Sequence, residues 1–324
     1  MMNINEFSKK QLVFVFLNQG DKISFSNDNL VVRDKDNKIK LQTTCYRIFS
    51  LFLIGNLTIT SGIIQRAQKF SFPIVLMNSS LKVYDIIGWK MEGNTLLREK
   101  QYSYDDLDLG RHLILNKLEN QKYLLEKQRK KTEVVRDAIK RIDKYIFEVQ
   151  KHTGDFQSLL GIEGNAAKLY FESHFNNVLW NGRKPRVKMD YINSTLDIGY
   201  TLLFNFIDAL LKLYGFDTYY GVLHKQFYMR KSLVCDIIEP FRTLIDMQVK
   251  KSINLGQCKE SDFEIANYRY QVKKEKNPVY VQFLLEPIMK YKEDIFKYIQ
   301  MYYRAVMKEK ESKEFPVFLL EEIE

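Results

Sequence analysis

The chain has 324 residues, 45% hydrophobic and 28% charged. This is the balance of a soluble globular protein of about two domains, too apolar for a disordered tail. Lysine and arginine number 50 against 40 acidic residues, a net charge of +10, which favours a polyanionic partner without choosing among them. Cys45, Cys235 and Cys258 stand outside any CxxC spacing, which argues against a disulfide framework or zinc ribbon and for a reducing compartment.

Residues 12–17 form an apolar run too short for a signal peptide, and the next candidate, 48–54, is interrupted by Ser50 and followed by Gly55-Asn56. Nothing approaches the roughly 20 residues that span a bilayer, so a cytoplasmic protein with no membrane segment is expected. Residues 12–17 instead read as a strand, Asn18-Gln19-Gly20-Asp21 as a turn, and 22–25 and 30–33 as short strands before the hairpin signal Asp34-Lys35-Asp36-Asn37. Leu57-Thr58-Ile59-Thr60 alternates like a strand, 61–70 has the spacing of one helix, and 72–77 reads as a buried strand ended by Asn78-Ser79-Ser80. These elements predict a mainly β domain over residues 1–90, with 12 basic and 6 acidic side chains.

Gly93-Asn94 and the polar Arg98-Glu99-Lys100-Gln101 mark 91–104 as a linker. Beyond it, Leu113, Leu115, Leu118, Tyr123, Leu124 and Leu125 fall on helical spacing. Residues 117–151 carry 11 basic and 6 acidic side chains, either a solvated face with i,i+4 pairs or a DNA-facing stripe. From Gly161 onward, apolar segments of about 12 to 20 residues alternate with short Gly, Pro or Asn breaks. The expected fold class is therefore α+β: a small N-terminal mainly β domain followed by a larger, mainly α-helical catalytic domain over 105–324. There is no internal repeat.

Two stretches carry candidate chemistry. In Gly161-Ile162-Glu163-Gly164-Asn165-Ala166-Ala167 a carboxylate stands between glycines where small residues open a helix. It can approach a ligand, or simply complement a close-packed helix start. In Ser232-Leu233-Val234-Cys235-Asp236-Ile237-Ile238-Glu239-Pro240-Phe241-Arg242, Ser232 is placed to cap a helix bearing Asp236 and Glu239 on one face. Carboxylates on an apolar segment must be protonated, paired or metal-bound when buried, and Arg242 is an available partner. His224 follows Gly221-Val222-Leu223, whereas His112, His152 and His174 show no ligand spacing. Together Glu163, His224 and Glu239 offer two hard oxygens and an imidazole, a set suited to Mg²⁺ or Mn²⁺ and poor for structural zinc. In a basic protein such a set points to phosphodiester chemistry.

At these residues the sequence resembles the CRISPR-associated spacer-acquisition integrase family, CRISPR-associated protein one, over nearly its whole length. The strand at 72–77, the glycine-flanked Glu163, the stretch from Pro185-Arg186 through Asp190-Tyr191-Ile192-Asn193 to Gly199-Tyr200, Tyr214-Gly215-Phe216-Asp217, Gly221-Val222-Leu223-His224, and Asp236-Ile237-Ile238-Glu239-Pro240-Phe241-Arg242 occur in the family's order. Thr218 stands where the family commonly has proline, and Cys235 where a small or apolar residue is usual; neither belongs to the ligand set.

The resemblance implies that Glu163, His224 and Glu239 are ligands of Mg²⁺ or Mn²⁺, with Asp236 behind them or as an occasional ligand. It further implies that a protospacer 3′-hydroxyl is joined into a CRISPR repeat by transesterification. The implied assembly is a homodimer through the β domains, bridged by CRISPR-associated protein two into a heterohexamer. Lys225, Arg230, Arg186 and Arg242 are the expected DNA-binding cations. Two other readings stay open: a structure-selective nuclease that does not integrate, and a non-catalytic DNA-binding scaffold.

Overall fold

The computed structural model describes residues 2–56, 58–87, 94–104 and 107–320; the portions of the expected β domain, linker and helical domain at Leu57, 88–93, 105–106 and 321–324 lie outside these. The chain forms two compact units, residues 1–93 with 272–282, and 94–271 with 283–324. The first is strand-rich and the second mainly helical, the α+β class expected.

In the first unit, α1 (Ile4–Ser8) is fixed by a capping box between Asn3 and Glu6. Strands β1 (Gln11–Phe16), β5 (Ile48–Ile54) and β6 (Ile74–Met77) run parallel, with β7 (Val83–Ile87) antiparallel at the edge beside β6. Strands β2 (Lys22–Ser26), β3 (Asn29–Arg33) and β4 (Ile39–Thr44) make an antiparallel sheet. Its first turn is Asn27-Asp28, both in the left-handed region, as a two-residue hairpin demands. Helix α2 (Ser61–Lys69) turns Ile63 and Ala67 into the core with Val15, Leu30, Val32, Leu51, Leu53, Ile74 and Leu76. Each such aliphatic side chain contributes roughly 1.5–3 kcal/mol by leaving water.

The expected strand at 57–60 is not one over its described residues 58–60. The strand is 48–54, where all seven residues, Ser50 included, are buried. A parallel strand flanked on both sides loses the polar alternation that marks a half-exposed one.

The second unit holds α3 (Thr95–Ser103), α4 (Leu107–Glu126), α5 (Glu133–Lys151), α6 (Phe156–His174), α7 (Tyr191–Tyr214), α8 (Ser232–Ile237), α9 (Arg242–Asn254) and α11 (Lys292–Met307); α10 (Asn277–Lys290) begins in the first unit and ends in the second. A small hairpin, β8 (Phe263–Ala266) and β9 (Arg269–Val272), follows α9. Helix α3 lies inside the segment read as linker. Asn94 caps it and Gln101 is buried, donating to the carbonyls of Asp217 (2.7 Å) and Tyr220 (2.8 Å). The basic run 117–151 spans two helices. On α5 the apolar stripe Val135, Ala138, Ile142, Ile146, Val149 is buried and the charges face outward, with Asp143 joined to Lys122 of α4 at 2.6 Å. Among the described residues no helix is long and apolar enough to cross a membrane.

Candidate active site

Helix α6 starts at Phe156, where the Asp155 carboxylate accepts the Ser158 N–H (2.8 Å), five residues before the glycine at which the sequence suggested an opening. Glu163 is thus about two turns into the helix, too far in to serve as an N-terminal charge complement. Gly161 and Gly164 are exposed, and a Cβ on either meets nothing within 4 Å. Packing does not require these glycines; their effect is to leave the helix face beside Glu163 bare.

Glu239 begins a 3-10 turn, Glu239–Phe241, in which Pro240 ends α8 and redirects the chain into α9. The turn is tied down by Asn120 of α4, which donates to the Pro240 carbonyl at 3.1 Å and to that of Phe318 at 2.8 Å. Ser232 is the first residue of α8 rather than its cap; its hydroxyl lies 3.3 Å from the Lys225 carbonyl.

Between the two glutamates stands a residue that sequence reasoning missed. Lys117 of α4 pairs with Glu163 Oε1 and, at 2.6 Å, with Glu239 Oε2, the three side chains being 10%, 20% and 5% exposed. Arg242 Nε holds the other Glu239 oxygen at 3.0 Å while its guanidinium stacks 4.9 Å over Tyr200. Burial favours the neutral acid at Glu239, but Arg242, then Lys117 and His224, outweigh it and pull the carboxyl down to about 2. Burial likewise works against the Lys117 ammonium, and the two glutamates overcome it, raising its pKa above the ordinary lysine value. A signal for Lys117 exists in the sequence: with Leu113 and Leu124 it shares the buried stripe of α4, where a charge needs partners.

Asp236 and Glu239, although three residues apart, serve different neighbours. Asp236 is wholly buried. Its Oδ2 accepts the N–H groups of Val222 (2.6 Å) and Leu223 (3.1 Å), and its Oδ1 accepts the N–H (2.8 Å) and Nδ1 (2.8 Å) of His224. An acceptor-only carboxylate places the imidazole proton on Nδ1, so the Nε2 lone pair faces the opposite edge of the ring. Asp236 therefore orients His224 rather than meeting anything outside. The tight wrap requires Gly221, where a Cβ stands 2.6 Å from the Ser232 carbonyl carbon and 2.7 Å from Asp236 Oδ2.

The expected DNA-binding cations divide. Lys225 is exposed and lies 4.0 Å over the Phe156 ring at the start of α6. Arg230 is half-buried, bound to the Lys225 carbonyl and 5.8 Å over Phe227. Phe227 and Tyr228, between them, are 72% and 86% exposed. Arg242 is engaged by Glu239 and Tyr200, and Arg186 offers its backbone N–H to Asp197 (3.1 Å) from the left-handed region.

Among the described residues no three His, Cys, Asp or Glu side chains close on one point as a cation cage; the two glutamates close on Lys117. The donor set still fits a hard divalent ion, since two carboxylates already share a cation and His224 presents its Nε2 away from Asp236.

The family model for CRISPR associated protein Cas1 matches residues 14–284. The chain belongs to the Cas1 family. The CRISPR-associated endonuclease Cas1 1 of Thermodesulfovibrio yellowstonii is 29% identical to it over 223 residues, 65% of this chain and 70% of that protein. Among solved structures, a chain of a Cas6-RT-Cas1–Cas2 complex matches with a TM-score of 0.81 at 23% identity, over 96% of this chain and 36% of that longer one. A casposase bound to its integration product matches with a TM-score of 0.80 at 18% identity, covering 97% and 96%. At those identities the structures establish the Cas1 fold.

Proposed function

We propose that this Cas1-family chain is a divalent-metal-dependent DNA endonuclease and integrase of CRISPR adaptation. Its reaction joins protospacer 3′-hydroxyl ends into the CRISPR repeat. The observation that carries the reading is the pair Glu163 and Glu239 sharing one buried cation beside a histidine oriented by Asp236. Glu163, Glu239 and His224 Nε2 would hold Mg²⁺ or Mn²⁺, which when bound supplies Lewis acidity toward the scissile phosphate and its oxygens. Arg242, braced on Tyr200, keeps Glu239 ionised and in place. Lys225 and Arg230 border the histidine loop and suit backbone phosphates. In the reaction the 3′-hydroxyl oxygen bonds to phosphorus, the repeat's P–O3′ bond breaks, the hydroxyl proton leaves and the departing 3′-oxygen takes one up. One phosphodiester replaces another, and no side chain is the nucleophile.

Partners follow the same reading: DNA, a second copy of the chain, and a Cas2-type protein like that in the Cas6-RT-Cas1–Cas2 complex, in a heterohexamer. The test is integration of an end-labelled DNA fragment into a supercoiled plasmid carrying a repeat. The wild type with Mg²⁺ should give joined product, and Glu163→Ala should give less than about a hundredth of it. Equal product from both overturns the mechanism, and cleavage without joined product reduces it to a nuclease.

A further inference from the structure

We propose that Lys117 is the site's built-in counter-cation, its ammonium standing between Glu163 and Glu239 until a divalent ion displaces it. The proposal rests on the metal-site reading above. The two carboxylates converge on one point from α6 and the Glu239 turn, and a cation placed there offsets their mutual repulsion, which the partly buried setting screens poorly. Glu239 has two, and they are built differently. Arg242 is a planar group stacked on Tyr200 and bound to Oε1. Lys117 is a point charge on a flexible stem, and among the described residues the polar contacts of its side chain are the two carboxylates, Glu163 Oε1 and Glu239 Oε2. Arg242 is therefore the fixed brace and Lys117 the exchangeable ion.

A dication using the same two oxygens also repels the ammonium across a short distance, so the two cations compete for one place. The bare face beside Gly161 and Gly164 leaves Glu163 room to adjust while the ammonium withdraws. Lys117 is thus a positioning residue. It keeps the carboxylates together before the metal arrives, and sets how much metal is needed.

The test is Mn²⁺ binding by isothermal titration calorimetry with the full-length wild type, Lys117→Met and Lys117→Arg, each checked for folding by circular dichroism. Removing the competing charge should tighten Mn²⁺ binding by Lys117→Met at least tenfold, while Lys117→Arg stays within threefold of wild type or binds more weakly. Equal or weaker binding by Lys117→Met overturns the proposal and leaves the metal reading intact. No Mn²⁺ uptake by any folded form overturns both. A second measurement, which does not use Lys117→Met, covers the case in which that variant fails to fold. Acetylation of Lys117 by acetic anhydride, read by peptide mass spectrometry, should rise several-fold at saturating Mn²⁺ and stay unchanged in Glu163→Gln. No rise in the wild type, or the same rise in both proteins, overturns the displacement.

Discussion

Glu239 shows how one side chain is decided by its neighbours. Its carboxyl would be neutralised by burial alone, and Arg242, Lys117 and His224 reverse that, from an ordinary value of 4.5 to about 2. A lowered folded-state value means the unfolded chain binds the proton first as pH falls. The pairs therefore contribute their full stability above about pH 4.5, and that contribution is lost between there and about pH 2. In metal-free buffer, urea unfolding at pH 5 should show Glu239→Gln less stable than wild type by on the order of 2–3 kcal/mol. By pH 3 the gap should narrow; a gap of constant size across that range contradicts the pairing. The Glu239–Arg242 pair was legible in the sequence because three residues on a helical path bring them together. The Lys117 partnership was not, because α4 lies more than a hundred residues away and only packing joins it to the turn at Glu239.

At the scale of elements, the histidine loop is held from behind by a single buried carboxylate that receives three backbone N–H groups and one imidazole. That wrap leaves no space at Gly221. Gly221→Ala should cost roughly 1–3 kcal/mol in urea unfolding, since its contacts are the Ser232 backbone and the Asp236 carboxylate, which its hydrogen bonds hold in place. It should also lower integration activity more than it weakens DNA binding, because His224 moves while Lys225 stays exposed. Wild-type stability with wild-type activity would refute the close approach. Local patterns predicted a helix after His224 and a glutamate-bearing helix after residue 160. Asp155 sets the true start of α6, and a one-residue cap is harder to see than a glycine pair. Likewise α3 read as linker, since its buried Gln101 is recognisable only once the Asp217–Tyr220 turn lies against it.

For the whole molecule, the net charge of +10 predicts a DNA affinity that falls linearly in log K against log salt. Lys225→Ala should reduce that slope by about one, the value of one lost phosphate contact, measured by fluorescence anisotropy on a labelled duplex. Arg242→Ala should leave the slope unchanged while abolishing integration, because its guanidinium is committed to Glu239 and Tyr200. A slope change for Arg242→Ala equal to that for Lys225→Ala would place Arg242 on the DNA instead.

The sequence by itself determined the class of fold and the family, because hydrophobic period and residue order are local properties, whereas residues 272–282, expected in the helical domain, belong to the strand-rich unit. Tertiary structure decided the rest. It made 48–54 a central strand despite its serine, by covering both faces. It turned Asp236 and Glu239 to separate tasks by ending α8 at a proline turn. It also set Lys117 between two glutamates from distant helices, since burying charge compels each group to find an opposite one wherever the chain brings it.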